Sequence, residues 1–137
     1  MSWKLNSDFI SGKTVEKKKK ILVIDDEEGI RELLSVSLKM RGFEVLMACD
    51  GEEGLAQARQ FRPDLILLDV MMPKMDGWEM LSHLRRDEKT KNIPVAMLTA
   101  KIEDHNFTIA REYEASEYFT KPVDLDELIS FVKRYIR

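Results

Sequence analysis

Five short runs set the pattern of this chain: ILVI (21–24), EVLMA (44–48), LILL (65–68), VAML (95–98) and EYF (117–119). Most are apolar without alternation. A strand with one face in water alternates apolar and polar residues, so a strand that is apolar throughout must be covered on both faces. Between the runs, Ile30, Leu33, Leu34, Ser37 and Leu38 follow helical spacing, as do Leu125, Leu128, Ile129 and Val132. Asp50 followed by Glu53 reads as a helix N-cap with its capping-box partner. The pattern predicts five strands alternating with five helices, the fourth helix, near 103–113, being the least periodic. Such alternation implies an α/β domain with a doubly wound parallel sheet, helices on both faces and right-handed crossovers.

The chain has 137 residues, the size of one compact domain. Residues 1–19 are polar and without period, so they read as a tail or linker with no fold of their own, and residues 20–137 as the domain. Trp3, Phe9 and Ile10 leave that tail an option as a docking segment. Its SGKT tetrapeptide invites a phosphate-loop reading, but such a loop needs a glycine where Ser7 stands and a strand leading in.

Charged residues make up 34% of the chain with a net charge of −3, acids and bases mixed. No basic face outweighs the acids, which argues against direct binding to nucleic acid. Cys49 is the single cysteine, which excludes an internal disulfide and a zinc cluster of thiolates. No run approaches the roughly 18 apolar residues of a membrane span, and the N-terminus lacks the apolar core of a signal peptide. These features predict a cytoplasmic protein without a membrane partner.

In doubly wound sheets chemistry sits beyond the carboxyl ends of the strands. Those ends carry Asp25 and Asp26, then Asp69, Thr99 and Lys121. Each Asp or Thr alone could be a helix cap, but the topology brings all five to one edge. Three carboxylates in one place repel one another unless a cation resides there. Oxygen ligands without histidine or thiolate select a hard cation, for which Mg²⁺ is the natural choice. A divalent cation, an ammonium and a hydroxyl around one carboxylate would bind a phosphoryl group, whose oxygens each need a partner.

The segments IDDEE (24–28), LLDVMMPKMDG (67–77), LTA (98–100) and TKP (120–122) resemble the receiver domains of two-component response regulators, the chemotaxis regulators among them. The resemblance covers roughly residues 20–137 and implies a flavodoxin-like fold with strand order 2-1-3-4-5. It implies that Asp69 is the phosphoacceptor, taking a phosphoryl group from the phosphohistidine of a sensor histidine kinase or a histidine phosphotransfer protein. Asp26 would bind Mg²⁺ directly and Asp25 mainly through water, with Asp69 and the carbonyl of Met71 completing the metal set. Lys121 and Thr99 would hold the phosphoryl oxygens, Ala100 would leave room for the donor, and a cis peptide before Pro122 would aim Lys121 inward.

Tyr118 stands where the family carries its aromatic switch. On phosphorylation Thr99 would move toward the phosphoryl group and Tyr118 into the vacated space, shifting the face of the fourth helix, fifth strand and fifth helix. Core packing is the plainer reading of Tyr118, a surface or packing role that of His83 and His105, and packing that of Met71 apart from its carbonyl, Met72, Met75 and Met80. Gly77 is read as permitting a backbone turn that a side chain would obstruct, and Met71 and Lys101 as the variable positions that tune phosphate lifetime. Glu114 stands where receivers often have glycine, Ser116 where they have an acid, and the last helix lacks the arginine-rich pattern of dimerising regulators. A monomer is expected, with phosphorylation-dependent dimerisation as the other option.

Three rival readings compete. A flavodoxin-like electron carrier would need its first loop to cradle a phosphate, which DDEE would repel. A phosphatase with an Asp nucleophile would want a second acid where Met71 stands. A receiver fold kept only as a docking module, without phosphorylation, would not need the phosphoryl site, yet all five of its positions are intact.

Overall fold

In the computed structural model of the chain, residues 18–100 and 114–136 are described. Five strands, β1 (Lys20–Ile24), β2 (Glu44–Ala48), β3 (Leu65–Asp69), β4 (Val95–Thr99) and β5 (Glu117–Thr120), form one sheet. Its order is β2-β1-β3-β4-β5 and every neighbouring pair is parallel. The expected α/β fold is thus present. Four helices accompany the strands among the described residues: α1 (Glu28–Lys39), α2 (Gly51–Phe61), α3 (Gly77–Arg86) and α4 (Leu125–Tyr135). The helix expected near 103–113 lies outside the described residues, as do Lys101, His105 and the first seventeen positions.

The unalternated runs are explained by two cores, one on each side of the sheet. On one face Leu22, Ile24, Ile66, Leu68, Val95 and Met97 pack with Ala58 of α2 and with Met80, Leu81 and Leu84 of α3. On the other, Ile21, Val23, Leu65, Leu67, Ala96 and Leu98 pack with Leu34 and Leu38 of α1 and Leu128, Phe131 and Val132 of α4. All residues of the inner strands β3 and β4 are buried, whereas the edge strand β2 is half covered. Burying each large aliphatic side chain contributes roughly 1.5–3 kcal/mol, which is why register in this sheet is fixed.

The capping box at Asp50 forms with a variation. Glu53 donates its backbone N–H to the Asp50 carboxylate at 2.8 Å, while its own carboxylate accepts from Cys49 N–H at 2.7 Å, one residue earlier than the usual partner. The stripe expected on α1 is rotated from the sequence reading: Leu34 and Leu38 are buried, but Leu33 is 51% exposed, one helical step away from the line that faces the sheet. No helix among the described residues is long and apolar enough to cross a membrane.

At Glu114, where the family pattern favours glycine, the turn into β5 keeps a left-handed residue, with φ at 62°. Arg85, from the end of α3, holds that backbone. Its guanidinium donates to the Glu114 carbonyl at 2.9 and 3.2 Å, to Ile93 at 2.8 Å and to Lys91 at 3.2 Å. A planar fork with five donors suits this arrangement of converging carbonyls.

Candidate functional site

Strand alternation determines which side chains meet. Ile21 and Val23 of β1 and Leu65 and Leu67 of β3 point into the core shared with α1 and α4. One further step of period two places Asp25 and Asp69 on that same face at the carboxyl edge. Lys121, two residues beyond Phe119, arrives from β5 on the same side, and its peptide bond to Pro122 is cis as expected.

The Lys121 ammonium lies 2.8 Å from Asp25 Oδ2, 3.3 Å from Asp69 Oδ1 and 3.5 Å from Glu27 Oε1. Asp25 and Asp69 are 0% and 1% exposed. Further polar contacts position them: Asp25 Oδ1 accepts the Glu27 N–H at 2.9 Å, Asp69 Oδ1 accepts the Met71 N–H at 3.3 Å, and Arg31 of α1 donates to the Asp25 carbonyl at 2.7 Å. Thr99 is buried at the end of β4, and its carbonyl accepts from the Lys121 N–H at 2.6 Å. Asp26 stands exposed beside Asp25, and Ala100 is exposed next to Thr99.

Burial dominates the electrostatics of Asp69. Loss of solvation and the neighbouring Asp25 charge push its pKa up to about 7, although Lys121 and the Met71 N–H pull the other way. For Lys121, burial lowers the pKa, but the hydrogen bond and charge of Asp25 together with Asp69 outweigh it, and the net shift is upward. The ammonium therefore stays charged between the two carboxylates.

Carboxylate oxygens of Asp25, Asp26 and Glu27 lie within 4.8 Å of one another, an all-oxygen set that suits a hard divalent cation. Glu27 was not singled out from the sequence; its signal was its place in DDEE, the loop that starts α1. Met71 is 63% exposed. Tyr118 is 8% exposed, on β5, in the core shared with α2 and α3.

Gly77 stands, as expected, where a side chain would obstruct the backbone. It begins α3 with no left-handed backbone, and space is what requires it: a Cβ there would stand 2.3 Å from the carbonyl oxygen of Asp69.

The chain is 44% identical over 118 residues to the DNA-binding dual master transcriptional regulator RpaA of Synechocystis sp., covering 86% of this chain and 49% of that protein. It is 45% identical over 119 residues to the alkaline phosphatase synthesis transcriptional regulatory protein PhoP of Bacillus subtilis, covering 87% and 49%. The chain thus spans about half the length of the curated relatives it matches. These relatives correct the expectation that nucleic acid has no place among direct partners, since one is named for binding DNA and both for transcriptional regulation. The mixed charge of this stretch describes its own surface, while half of each relative lies outside the match.

Among solved structures, the Vibrio cholerae chemotaxis protein CheY4 superposes with a TM-score of 0.83 at 32% identity, covering 88% of this chain and 100% of that one. The family model of the response regulator receiver domain matches residues 21–133, and with the sheet order and the strand-end residues in place, the chain belongs to that family of two-component signalling domains.

Proposed function

We propose that this receiver, taken as residues 20–137 after a tail of 1–19, accepts a phosphoryl group on Asp69 and acts as a signalling switch that assists its own phosphorylation and dephosphorylation. The observation that carries the reading is the buried Asp69 carboxylate joined through Lys121 to the fully buried Asp25. Such an arrangement is costly for stability alone, and it matches what an incoming phosphoryl group needs.

The donor is the phosphohistidine of a sensor kinase or a histidine phosphotransfer protein. An Asp69 carboxylate oxygen attacks phosphorus, the phosphorus–nitrogen bond breaks with its electron pair going to nitrogen, and the imidazole, already protonated on its other nitrogen, leaves neutral. Lys121 follows the charge onto the phosphoryl oxygens, and the Thr99 hydroxyl donates to another. Asp25, Asp26, Asp69 and the Met71 carbonyl, with Glu27 at hand, would hold Mg²⁺, which would supply charge neutralisation to the phosphoryl oxygens. Thr99 and Tyr118 then shift the face around β5, and the likeness to RpaA and PhoP points to control of transcription as the output.

The test is incubation with acetyl phosphate and Mg²⁺, followed by mass spectrometry. One added phosphate is expected, lost in Asp69→Asn and on chelation of the metal. Absence of an adduct from both acetyl phosphate and a phosphorylated kinase would leave a docking module as the better reading.

A further inference from the structure

A second physical connection runs from Asp69 to Tyr118, through the start of α3. Gly77 rests directly on the backbone of the phosphoacceptor: an added Cβ would meet the Asp69 oxygen at 2.3 Å and Val70 Cα at 2.8 Å. Its N–H donates to the Val70 carbonyl at 2.9 Å, so this turn moves with the end of β3. The next residue, Trp78, is half-buried. Its ring lies 6.4 Å from that of Tyr118, centroid to centroid, with the planes 16° apart. This offset stack falls within the range where aromatic pairs attract. Tyr118 also pairs across the sheet with Met97.

We propose that Trp78 is a positioning residue of the switch: its indole holds Tyr118 in the buried orientation and ties that ring, through Gly77, to the backbone of Asp69. This rests on the reading of Asp69 as phosphoacceptor and Tyr118 as switch. The stack exists only while the tyrosine ring lies against α3, so it weights the equilibrium toward the buried ring. Coupling between sites is reciprocal, and whatever favours that ring position favours the phosphorylated site by up to the same factor. Thr99 offers one route between the two, and the Gly77–Trp78 step offers another that acts on the same ring.

The experiment uses the full chain with Trp78→Leu and Trp78→Phe. In unphosphorylated protein, ring resonances of Tyr118, assigned with Tyr118→Phe, are expected to move toward those of an exposed tyrosine in Trp78→Leu and to stay near wild type in Trp78→Phe. Unmoved resonances in Trp78→Leu overturn the stack's role. Titration with beryllofluoride and Mg²⁺, a phosphoryl mimic, reads the coupling. Its apparent dissociation constant should rise roughly two- to twelvefold in Trp78→Leu, the population factor that an aromatic pair can supply, and recover in Trp78→Phe.

In a Tyr118→Leu background that difference should vanish. Equal affinity, or a loss that persists without Tyr118, overturns the proposal, whereas a merely structural role would lower the melting temperature and move neither readout. Failure of wild type to bind beryllofluoride overturns the phosphoacceptor reading and the coupling with it. The ring resonances, which need no phosphoryl group, tell that failure apart from failure of the stack.

Discussion

The Lys121 ammonium and the Asp25 carboxylate, 96 residues apart in sequence, meet at 2.8 Å, with Asp25 wholly buried and Asp69 held by the same ammonium at 3.3 Å. One cation thus compensates two desolvated acids. Removing a partner from a buried ion pair strands the remaining charge and costs about 3–5 kcal/mol. Lys121→Met should lose stability on that order in urea unfolding at pH 7.5 and less at pH 5, where Asp69 takes up a proton. An equal loss at both pH values would contradict the assignment.

Asp69 predicts how the wild type itself responds to pH. Its pKa is raised from 3.8 to about 7 in the fold, by burial first and then by Asp25. A carboxyl whose pKa is raised on folding contributes stability that is fully present below about pH 4 and lost as pH rises through about 7. Asp69→Asn removes the ionisation, so its advantage in melting temperature over wild type should grow from pH 5 to pH 8 in metal-free buffer. Mg²⁺ should shrink that advantage by stabilising the ionised wild type. A constant difference across the range would count against the shift.

Gly77 predicts a steric result. A methyl group 2.3 Å from the Asp69 oxygen meets backbone, which cannot swing aside. Gly77→Ala should destabilise the domain by roughly 1–3 kcal/mol, as overpacking does, and should slow phosphorylation from acetyl phosphate because the end of β3 is displaced. Wild-type rates in this variant would show that the contact yields without disturbing Asp69.

Glu114 predicts the opposite sign. A residue with a side chain in the left-handed region costs about 1–2 kcal/mol, and glycine returns part of the gain through its freer unfolded chain. Glu114→Gly should therefore stabilise the fold by on the order of 0.5 kcal/mol, while Glu114→Ala, which keeps the strained φ of 62°, should not. Chemical denaturation of both variants separates the outcomes.

Met71 predicts a kinetic change. Its side chain is exposed two residues after Asp69, and a thioether, at most a weak acceptor, cannot orient water for attack on the phosphate. An amide at this position can, and one hydrogen bond of about 1 kcal/mol in the transition state corresponds to roughly fivefold in rate. Met71→Asn should shorten the lifetime of the Asp69 phosphate by that order, measured by loss of the mass-spectrometric adduct; an unchanged lifetime would remove Met71 from this role.

Much of this molecule was legible in its residues. Runs such as LILL and VAML, apolar at every position, are stable only with both faces covered, and that requirement alone implies a parallel sheet flanked by helices. Once the strands are placed, their carboxyl ends name Asp25, Asp69, Thr99 and Lys121, because alternation carries each strand's pattern to its last residue. Other features depend on distances between segments far apart in the chain, and no local pattern encodes them. Leu33 fits the apolar spacing of α1 yet faces water, since only the docked helix decides which line of residues meets the sheet. Glu27 joins Lys121, Gly77 presses on Asp69, Arg85 holds Glu114, and Trp78 stacks on Tyr118, each through packing that exists only after the helices have settled on the sheet. Composition and periodicity determined the architecture and the edge where the chemistry lies; the tertiary structure decided which neighbours hold each reactive group, because a contact between distant residues is fixed by the packing of whole elements.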